Sequence, residues 1–180
     1  MSQILPPNFS LQRPAGDERL RQVCSTCNFI NYVNPRIVAG VVASDGQGSI
    51  LLCRRAIEPR RGFWTVPAGF MEEGETTQAG AAREAREEAC VEISIDALLG
   101  IYEVPRISQV HFMYRGTIQS GFSAGPESLD VQMFAYDAIP WDDIAFPTGI
   151  WALKDWAKTR NETHFIPFSN PPGTQAMTHG

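Results

Sequence analysis

Residues 76–89 combine a cluster of acidic residues with a run of alanines, and this segment constrains the fold more than any other feature. In a helix, Glu84 precedes Glu87 and Glu88 by three and four residues, so the three carboxylates share one face. The opposite face carries small side chains that would let the helix approach a sheet closely: Ala81, Ala82, Ala85 and Ala89. The segment therefore predicts a helix over residues 76–89 that packs on a sheet.

Three carboxylates on one helix face repel one another, and Arg83 and Arg86 offset this repulsion only partly. The cluster becomes favourable when hard cations bind it, because Mg²⁺ and Mn²⁺ select oxygen ligands. Magnesium also binds through a few carboxylates together with substrate phosphates, which makes a diphosphate its natural co-ligand. Taken alone, however, residues 83–88 are more typical of a solvated, ion-paired helix.

The loop before this helix contains two glycines, Gly69 and Gly74, within an acidic stretch. These glycines would let the backbone fold close to a metal ion. Either Thr76 or Thr77 can cap the helix, since a threonine hydroxyl accepts a hydrogen bond from a free backbone N–H of the first turn.

The whole segment resembles the Nudix box, G-x5-E-x7-R-E-U-x-E-E-x-G-U, in which U is a bulky aliphatic residue. Seven residues match in order and spacing: Gly69, Glu75, Arg83, Glu84, Glu87, Glu88 and Val91. Two positions depart from the pattern, since Ala85 is small for its U position and Cys90 replaces the last glycine. Neither departure removes an expected metal ligand.

The resemblance implies a metal site formed by Glu84, Glu87, Glu88 and the Ala68 carbonyl, with Mg²⁺ or Mn²⁺ as the cofactor. It also implies that Glu75 and Arg83 pair to fix the loop against the helix. In this family an activated water attacks one phosphorus of a diphosphate. The catalytic residues would then include Glu87 and Glu88, with a general base among the box glutamates or on a later loop, where Glu127 is the first candidate and Asp130 the second.

The resemblance extends to residues 54–69 and 125–130, which are similar to a Nudix subgroup of FAD and ADP-ribose pyrophosphohydrolases. It implies hydrolysis of ADP-ribose or FAD with release of AMP, and Pro105 lies close to the proline that ADP-ribose pyrophosphatases often carry. The motif typical of NADH pyrophosphatases and NAD-cap-removing enzymes is absent from residues 104–110. Those two activities, and a non-catalytic ADP-ribose sensor, are the alternatives.

Four of the thirteen arginines fall within residues 54–61, in a chain of net charge −5. Because the planar guanidinium binds phosphate oxygens bidentately, this cluster suits a compact anion such as a diphosphate. We therefore predict substrate binding by Arg54, Arg55, Arg61 and Phe63. Three further aromatic residues are candidates for stacking on a flat ring: Trp64, Tyr102 and Phe112.

The N-terminal segment of the resembling subgroup is usually a zinc ribbon, which needs two Cys-x-x-Cys knuckles for a tetrahedral site. This chain has one knuckle, Cys24 and Cys27, and residues 1–16 contain neither cysteine nor histidine. We therefore expect a degenerate ribbon and no complete zinc site within one chain, although two chains could pool their pairs.

Composition excludes several classes of function. No apolar run approaches membrane-spanning length and the N-terminus lacks a secretory pattern, so a cytoplasmic location is expected. The acidic balance argues against general nucleic-acid binding, which leaves a small nucleotide as the partner. The resemblance alone implies a homodimer.

Strand-like runs flank the single box helix, at residues 36–43, 49–54, 63–67, 91–104, 109–118 and 131–136, and a last helix is expected at 148–159. The order predicts an α+β class, which the resemblance specifies as a Nudix fold, an α/β/α sandwich with a mixed central sheet. We expect a hairpin through the Asp-Gly turn at residues 44–48. The predicted organisation is an irregular arm over residues 1–34 with a remnant knuckle, a hydrolase domain over 35–165 and a tail over 166–180, disordered from residue 170.

Overall fold

The computed structural model describes residues 8–174, and the chain divides into two compact units between Pro35 and Arg36. The first unit contains an antiparallel sheet of three short strands, β1 (Phe9–Gln12), β2 (Arg21–Cys24) and β3 (Ile30–Asn31), in that order. An irregular arm was expected here, so the structure differs from the prediction for the described part of this segment. The reason is that β1 obtains its hydrogen bonds from β2, a partner that its own sequence does not reveal.

The second unit consists of seven strands and two α-helices. In chain order they are β4 (Arg36–Ser44), β5 (Ser49–Arg55), β6 (Trp64–Thr65), β7 (Ala68–Phe70), α1 (Thr77–Ala89), β8 (Ile93–Val104), β9 (Gln109–Ile118), β10 (Ser128–Ala135) and α2 (Pro147–Thr159). Both predicted helices and all the predicted strand regions are present, with most of the boundaries within about two residues of those expected.

The seven strands form one mixed sheet in the order β10-β5-β4-β9-β8, with β6 paired to β5 and β7 paired to β4. Strands β4 and β9 run parallel, whereas the other pairs are antiparallel. The two helices cover opposite faces of this sheet. Alternation along β4 shows this, because Val41 packs in the cluster that contains Ala85 of α1, while Val42 packs with Trp156 of α2. The predicted α+β class and its α/β/α sandwich are confirmed.

The predicted hairpin between β4 and β5 is present only at its turn. Ser44 and Ile50 pair beside the turn, but the two strands then diverge, because β7 pairs with residues 38–40 of β4. The backbone N–H of Val41 donates instead to the carbonyl of Pro67. Residues 71–76 connect β7 to α1.

The segment after α2 runs alongside β8. Backbone hydrogen bonds join Phe168 to Leu99 and Ile101, and the side-chain amide of Asn170 bonds to the backbone of Glu103. The expected disorder from residue 170 is thus not seen at Asn170, because these hydrogen bonds hold it on the strand. Residues 175–180 of the predicted tail lie outside the described residues. No described helix is long and apolar enough to cross a bilayer.

Candidate functional site

Helix α1 has defined caps at both ends. The hydroxyl of Thr76 accepts a hydrogen bond from the N–H of Ala79 at 3.1 Å, which selects Thr76 over Thr77 as the N-cap. At the other end, Cys90 has φ of +48° and donates its N–H to the carbonyl of Arg86. This left-handed position ordinarily favours glycine, which explains why the box pattern has glycine where this chain has cysteine.

Helix α1 lies close to the sheet because the side chains on its inner face are small. Ala81, Ala85 and Ala89 are fully buried against the core cluster that includes Ala39 and Val41 of β4. A bulky aliphatic residue at position 85 would push the helix outward, so the departure from the box pattern is compatible with this close packing.

Glu84 and Glu88 are both buried, with 8% and 6% of their surface exposed. The N–H of Ala68 donates to Glu88 Oε2 at 3.4 Å, a long hydrogen bond. Burial raises the pKa of Glu88 to about 8, with a further contribution from the neighbouring charge of Glu84, and burial also raises the pKa of Glu84. Two adjacent buried carboxylates repel each other when both are ionised, and a bound cation would relieve this repulsion.

Arg83 of α1 bonds to the loop that precedes the helix. Its Nη2 and Nε donate to the two carboxylate oxygens of Glu75 at 2.8 and 3.1 Å, and Nη2 also donates to the carbonyl of Phe70. These bonds hold the pKa of Glu75 down at about 2. The predicted pairing of Glu75 with Arg83 is confirmed.

Arg83 also makes contacts that the sequence did not predict. Its Nη1 lies between two box glutamates, at 2.7 Å from Glu84 Oε1 and 2.9 Å from Glu87 Oε2. The described residues contain no group of three or more His, Cys, Asp or Glu side chains already arranged around one point. Because Arg83 holds Glu87 outward, with 57% of that side chain exposed, a metal would have to draw it in.

The donor set fits a hard divalent cation. Glu84 and Glu88 present carboxylate oxygens beside the backbone of residues 68–69, and a Cβ on Gly69 would lie 2.3 Å from Glu84 Oε1. Gly69 therefore leaves room for a carboxylate to approach the loop backbone. Oxygen donors of this kind suit Mg²⁺ or Mn²⁺. The Ala68 carbonyl belongs to β7 as well, and its role as a backbone ligand stays a prediction.

Residues 121–127 pack on the end of α1 that carries Glu87 and Glu88. The N–H of Gly125 donates to the carbonyl of Glu88, and a Cβ on Gly125 would lie 1.8 Å from the carbonyl oxygen of Glu87. Gly125 was not predicted from the sequence to have a role, although its place two residues before Glu127 offered a signal. The loop brings Glu127 close enough for its charge to raise the pKa of Glu84 and Glu88.

The two candidate bases differ in their hydrogen bonds. The side chain of Glu127 is exposed, and its backbone carbonyl accepts a hydrogen bond from the N–H of Ala56 at 2.8 Å. Asp130 accepts from the N–H of Val131 at 2.8 Å and from Gln132 Nε2 at 2.7 Å, so both its oxygens are engaged. Glu127 is therefore the freer carboxylate.

The arginine loop, residues 54–62, connects β5 to β6. Its first two arginines brace it, because Arg54 Nε donates to the carbonyl of Gly62 and Arg55 Nε donates to that of Pro59. Arg55 also lies close enough to lower the pKa of Glu88. Arg61 is exposed. The structure thus brings Arg55 to the box and shows that Arg54 braces the loop, while substrate binding by Arg54 and Arg61 stays a prediction.

The aromatic candidates have different surroundings. Phe63 is half-buried under the guanidinium of Arg60, whose Cζ lies 4.9 Å from the ring centroid. Trp64 packs edge-on against Phe134 in the core. Tyr102 is fully buried and donates its hydroxyl to Asp155, so it cannot stack on a substrate as proposed from the sequence. Phe112 packs in the cluster under α1.

The cysteine pair lies in the first unit at the end of β2. Cys27 is exposed and Cys24 is half-buried, and hydrogen bonds from the backbone of Cys27 and Thr26 lower the pKa of Cys24. The pair thus has the turn of a single knuckle. That this chain lacks a complete zinc site stays a prediction.

Comparisons with known proteins agree with this geometry. The NUDIX domain model matches residues 34–154, and the Nudix N-terminal zinc-ribbon model matches residues 7–33. A crystal structure of a NUDIX hydrolase from Nitrosomonas europaea superposes with a TM-score of 0.84 at 40% identity, covering 89% of this chain and 92% of that one.

Two curated relatives are more distant. An ADP-ribose pyrophosphatase from Methanocaldococcus jannaschii is 28% identical over 137 residues, which cover 72% of this chain and 78% of that protein. An NAD-capped RNA hydrolase NudC from Vibrio vulnificus is 28% identical over 127 residues, covering 68% of this chain. The match spans only 47% of the length of that second relative.

Proposed function

This chain belongs to the Nudix family and is a pyrophosphohydrolase of phosphorus-containing anhydrides, and we propose that its substrate is ADP-ribose. The products would be AMP and ribose 5-phosphate, and Mg²⁺ or Mn²⁺ would be the cofactor. The buried pair Glu84 and Glu88, beside the backbone of residues 68–69, is the observation that carries the proposal, because two adjacent buried carboxylates favour a divalent cation between them.

The choice of ADP-ribose rests on the relative from Methanocaldococcus jannaschii, which aligns over most of both chains. FAD, the other substrate expected from the sequence, shares the adenosine diphosphate half and belongs in the same assay. The NudC relatives are about twice as long as their aligned regions, so removal of an NAD cap is the weaker candidate.

The chain's own residues have distinct parts in the reaction. Glu84, Glu87, Glu88 and the Ala68 carbonyl would hold the metal, and Arg55 would bind a phosphate oxygen beside Glu88. A bound divalent metal lowers the pKa of a water molecule and stabilises the leaving phosphate. Glu127 would accept the proton of the attacking water, because its carboxylate is exposed and approaches the same glutamates.

Arg83 would exchange partners in this scheme. It bonds to Glu84 and Glu87 in the structure, and if those two carboxylates held the metal, Arg83 would keep its pair with Glu75. The bidentate pair keeps the loop in place while the metal binds. Arg83 is thus a positioning residue.

A substrate panel tests the proposal. The protein is incubated with Mg²⁺ or Mn²⁺ and with ADP-ribose, FAD, NADH or NAD-capped RNA, and the release of AMP or of the nucleotide product is followed by chromatography. We expect the highest kcat/KM for ADP-ribose and no turnover with a chelator. Tight binding of ADP-ribose without AMP release, with or without metal, would identify a sensor instead.

Assembly, location and zinc content also remain as predictions. We propose a homodimer in the cytoplasm, with less than one zinc ion per chain. Light scattering coupled to gel filtration would measure the mass, and emission spectroscopy on chelator-washed protein would measure zinc. A monomer, or one zinc per chain, would contradict the corresponding prediction.

A further inference from the structure

Positive charge is concentrated in one short segment of this acidic chain. Residues 54–61 contain four arginines and one glutamate, which gives them a charge of +3 and leaves −8 on the rest of the chain. Like charges held this close repel one another unless anions approach them. The arginine loop therefore has a surplus of positive charge that its own structure has to accommodate.

No protein carboxylate pairs with these arginines among the described residues. The salt bridges found there involve none of Arg54, Arg55, Arg60 or Arg61. The Nε atoms of Arg54 and Arg55 donate to backbone carbonyls of the loop, which fixes the two guanidinium planes. Their Nη groups make no hydrogen bond to the described protein and remain available to an anion.

Two guanidinium groups also stack on aromatic rings. Arg60 lies over Phe63, and Arg55 lies over Phe146 with its Cζ 5.1 Å from the ring centroid. Stacking leaves the in-plane N–H donors of a guanidinium free for bidentate contacts with phosphate. Arg60 has a left-handed backbone, with φ of +66°, and its side chain is exposed.

The loop adjoins the box at its first residues. The N–H of Ala56 donates to the carbonyl of Glu127 at 2.8 Å, which ties the loop to the segment that carries the candidate base. Arg55 lies beside Glu88, so one arginine already serves the diphosphate. Arg60 and Arg61 come later in the loop and exceed what a diphosphate bound to a divalent cation needs.

We propose that Arg60 and Arg61 bind a phosphomonoester that the substrate carries in addition to its diphosphate. The preferred substrates would then be ADP-ribose-like molecules with a phosphate on the 2′ hydroxyl of the adenosine ribose. The proposal rests on the proposed function, since it deepens the substrate class of the same site. A phosphomonoester carries close to two negative charges at neutral pH, and two arginines match it.

A polynucleotide would also bring additional phosphates to the loop. It would extend over a surface whose remaining charge is −8, which repels a long polyanion. One extra phosphate on a small substrate neutralises positive charge of the arginine loop and does not extend over the negatively charged remainder of the surface. The charge distribution thus favours a small molecule.

The test compares ADP-ribose with 2′-phospho-ADP-ribose under identical metal concentrations. We expect kcat/KM to be about tenfold or more higher for the phosphorylated substrate, through charge-assisted hydrogen bonds, and the preference to shrink as salt is raised. The variant Arg60→Gln should lower this ratio at least about threefold, and the double variant with Arg61→Gln should bring it close to one.

Arg160→Gln is the matched control. Arg160 is likewise exposed and likewise stacked, with its Cζ 5.9 Å from the ring centroid of Trp156, but it lies at the end of α2. The substrate ratio in this variant should equal that of the unmodified protein. An equal fall in Arg160→Gln and Arg60→Gln would overturn the assignment to the loop.

The remaining outcomes separate the two proposals. Turnover of ADP-ribose with no preference for the phosphorylated form overturns the inference and leaves the proposed function intact. If neither compound is hydrolysed, the proposed function fails, and calorimetric titration of both compounds decides the inference, since equal affinities refute it. A capped RNA oligonucleotide that competes better than either compound, with an advantage lost in Arg60→Gln, would replace the small molecule by a polynucleotide.

Discussion

Glu84 and Glu88 lie one helical turn apart, and both are buried. Their proximity follows from the sequence alone, because residues i and i+4 of a helix share a face. Their burial comes from β7, whose residues 68–69 lie against that face. Arg83 bonds to Glu84 at 2.7 Å, whereas the hydrogen bond found at Glu88 is the long one from the N–H of Ala68. The combination of local spacing and imposed burial supports the proposed metal site.

Replacing Glu88 by Gln is expected to lower kcat by about 100-fold or more, because it removes a carboxylate ligand in a metal-dependent reaction. Thermal stability without metal should be retained, since the amide has nearly the same shape and needs no counter-charge. Steady-state kinetics with ADP-ribose and a melting curve in chelator measure the two effects.

The control for this variant is Glu92→Gln. Glu92 also belongs to an ion pair near α1, 3.5 Å from Arg86, but 61% of its side chain is exposed. Turnover near that of the unmodified protein is expected. A similar loss of kcat in both variants would argue against a special role for Glu88.

Replacing Cys90 by Gly is expected to stabilise the protein by roughly 0.5–1 kcal/mol, because glycine adopts the left-handed C-terminal position of α1 without strain. Urea denaturation measures the free energy of unfolding. Cys90→Ala is the comparison, since it removes the thiol but keeps a Cβ. A gain as large in Cys90→Ala would show that the thiol, and not the backbone conformation, was the cause.

At the scale of elements, α1 and the loop at residues 121–127 form one structural unit. The loop is tied to the end of the helix by hydrogen bonds from Ser123 and Gly125 to the carbonyls of Ala89 and Glu88. Because Glu127 follows on the same loop, the helix and its candidate base are positioned together.

Replacing Gly125 by Ala should displace this loop, because the added Cβ would lie 1.8 Å from a backbone carbonyl oxygen of α1. We expect a loss of stability of about 1–3 kcal/mol and a fall in kcat. The matched variant is Gly121→Ala, where the added Cβ meets no atom within 4 Å. Kinetics and melting curves that are alike for the two variants would contradict this role of Gly125.

The strands show where sequence patterns mislead. The Asp-Gly turn correctly predicts a reversal between β4 and β5, and Asp45 accepts hydrogen bonds from the turn at Gln47 and Ser49. A continuous two-stranded hairpin was the wrong expectation beyond the turn, because β7 pairs with β4 in place of β5. Competition for a strand edge depends on residues far along the chain, which no local pattern contains.

For the whole molecule, acid sensitivity is expected from His111 in β9. Burial lowers its pKa to about 4, and its Nδ1 has no hydrogen-bond partner among the described residues. The folded protein therefore keeps His111 neutral, while the unfolded chain takes up a proton near its ordinary pKa of about 6.5. The contribution of His111 to stability is then complete above pH 6.5 and falls as the pH drops towards 4, whereas the raised pKa of the buried Glu88 acts in the opposite direction.

Urea denaturation at pH 7.5 and pH 5 measures this effect. His111 should contribute a loss of about 1–2 kcal/mol between the two values, so the change in the unmodified protein should be less favourable than the change in His111→Gln by that amount. His164→Gln is the control, because His164 is exposed. If His111→Gln lost as much stability as His164→Gln, the buried histidine would not be the cause.

The sequence by itself determined the helix at residues 77–89, the glutamates it carries, the pairing of Glu75 with Arg83 and the α+β class. These features follow from short spacings, because a helix face and a family motif are both local. Tertiary structure alone decided that Arg83 also bridges Glu84 and Glu87, that Tyr102 is buried, that β1 forms and that Gly125 touches α1. Each of these depends on packing, or on hydrogen bonds between segments that meet only when the chain folds.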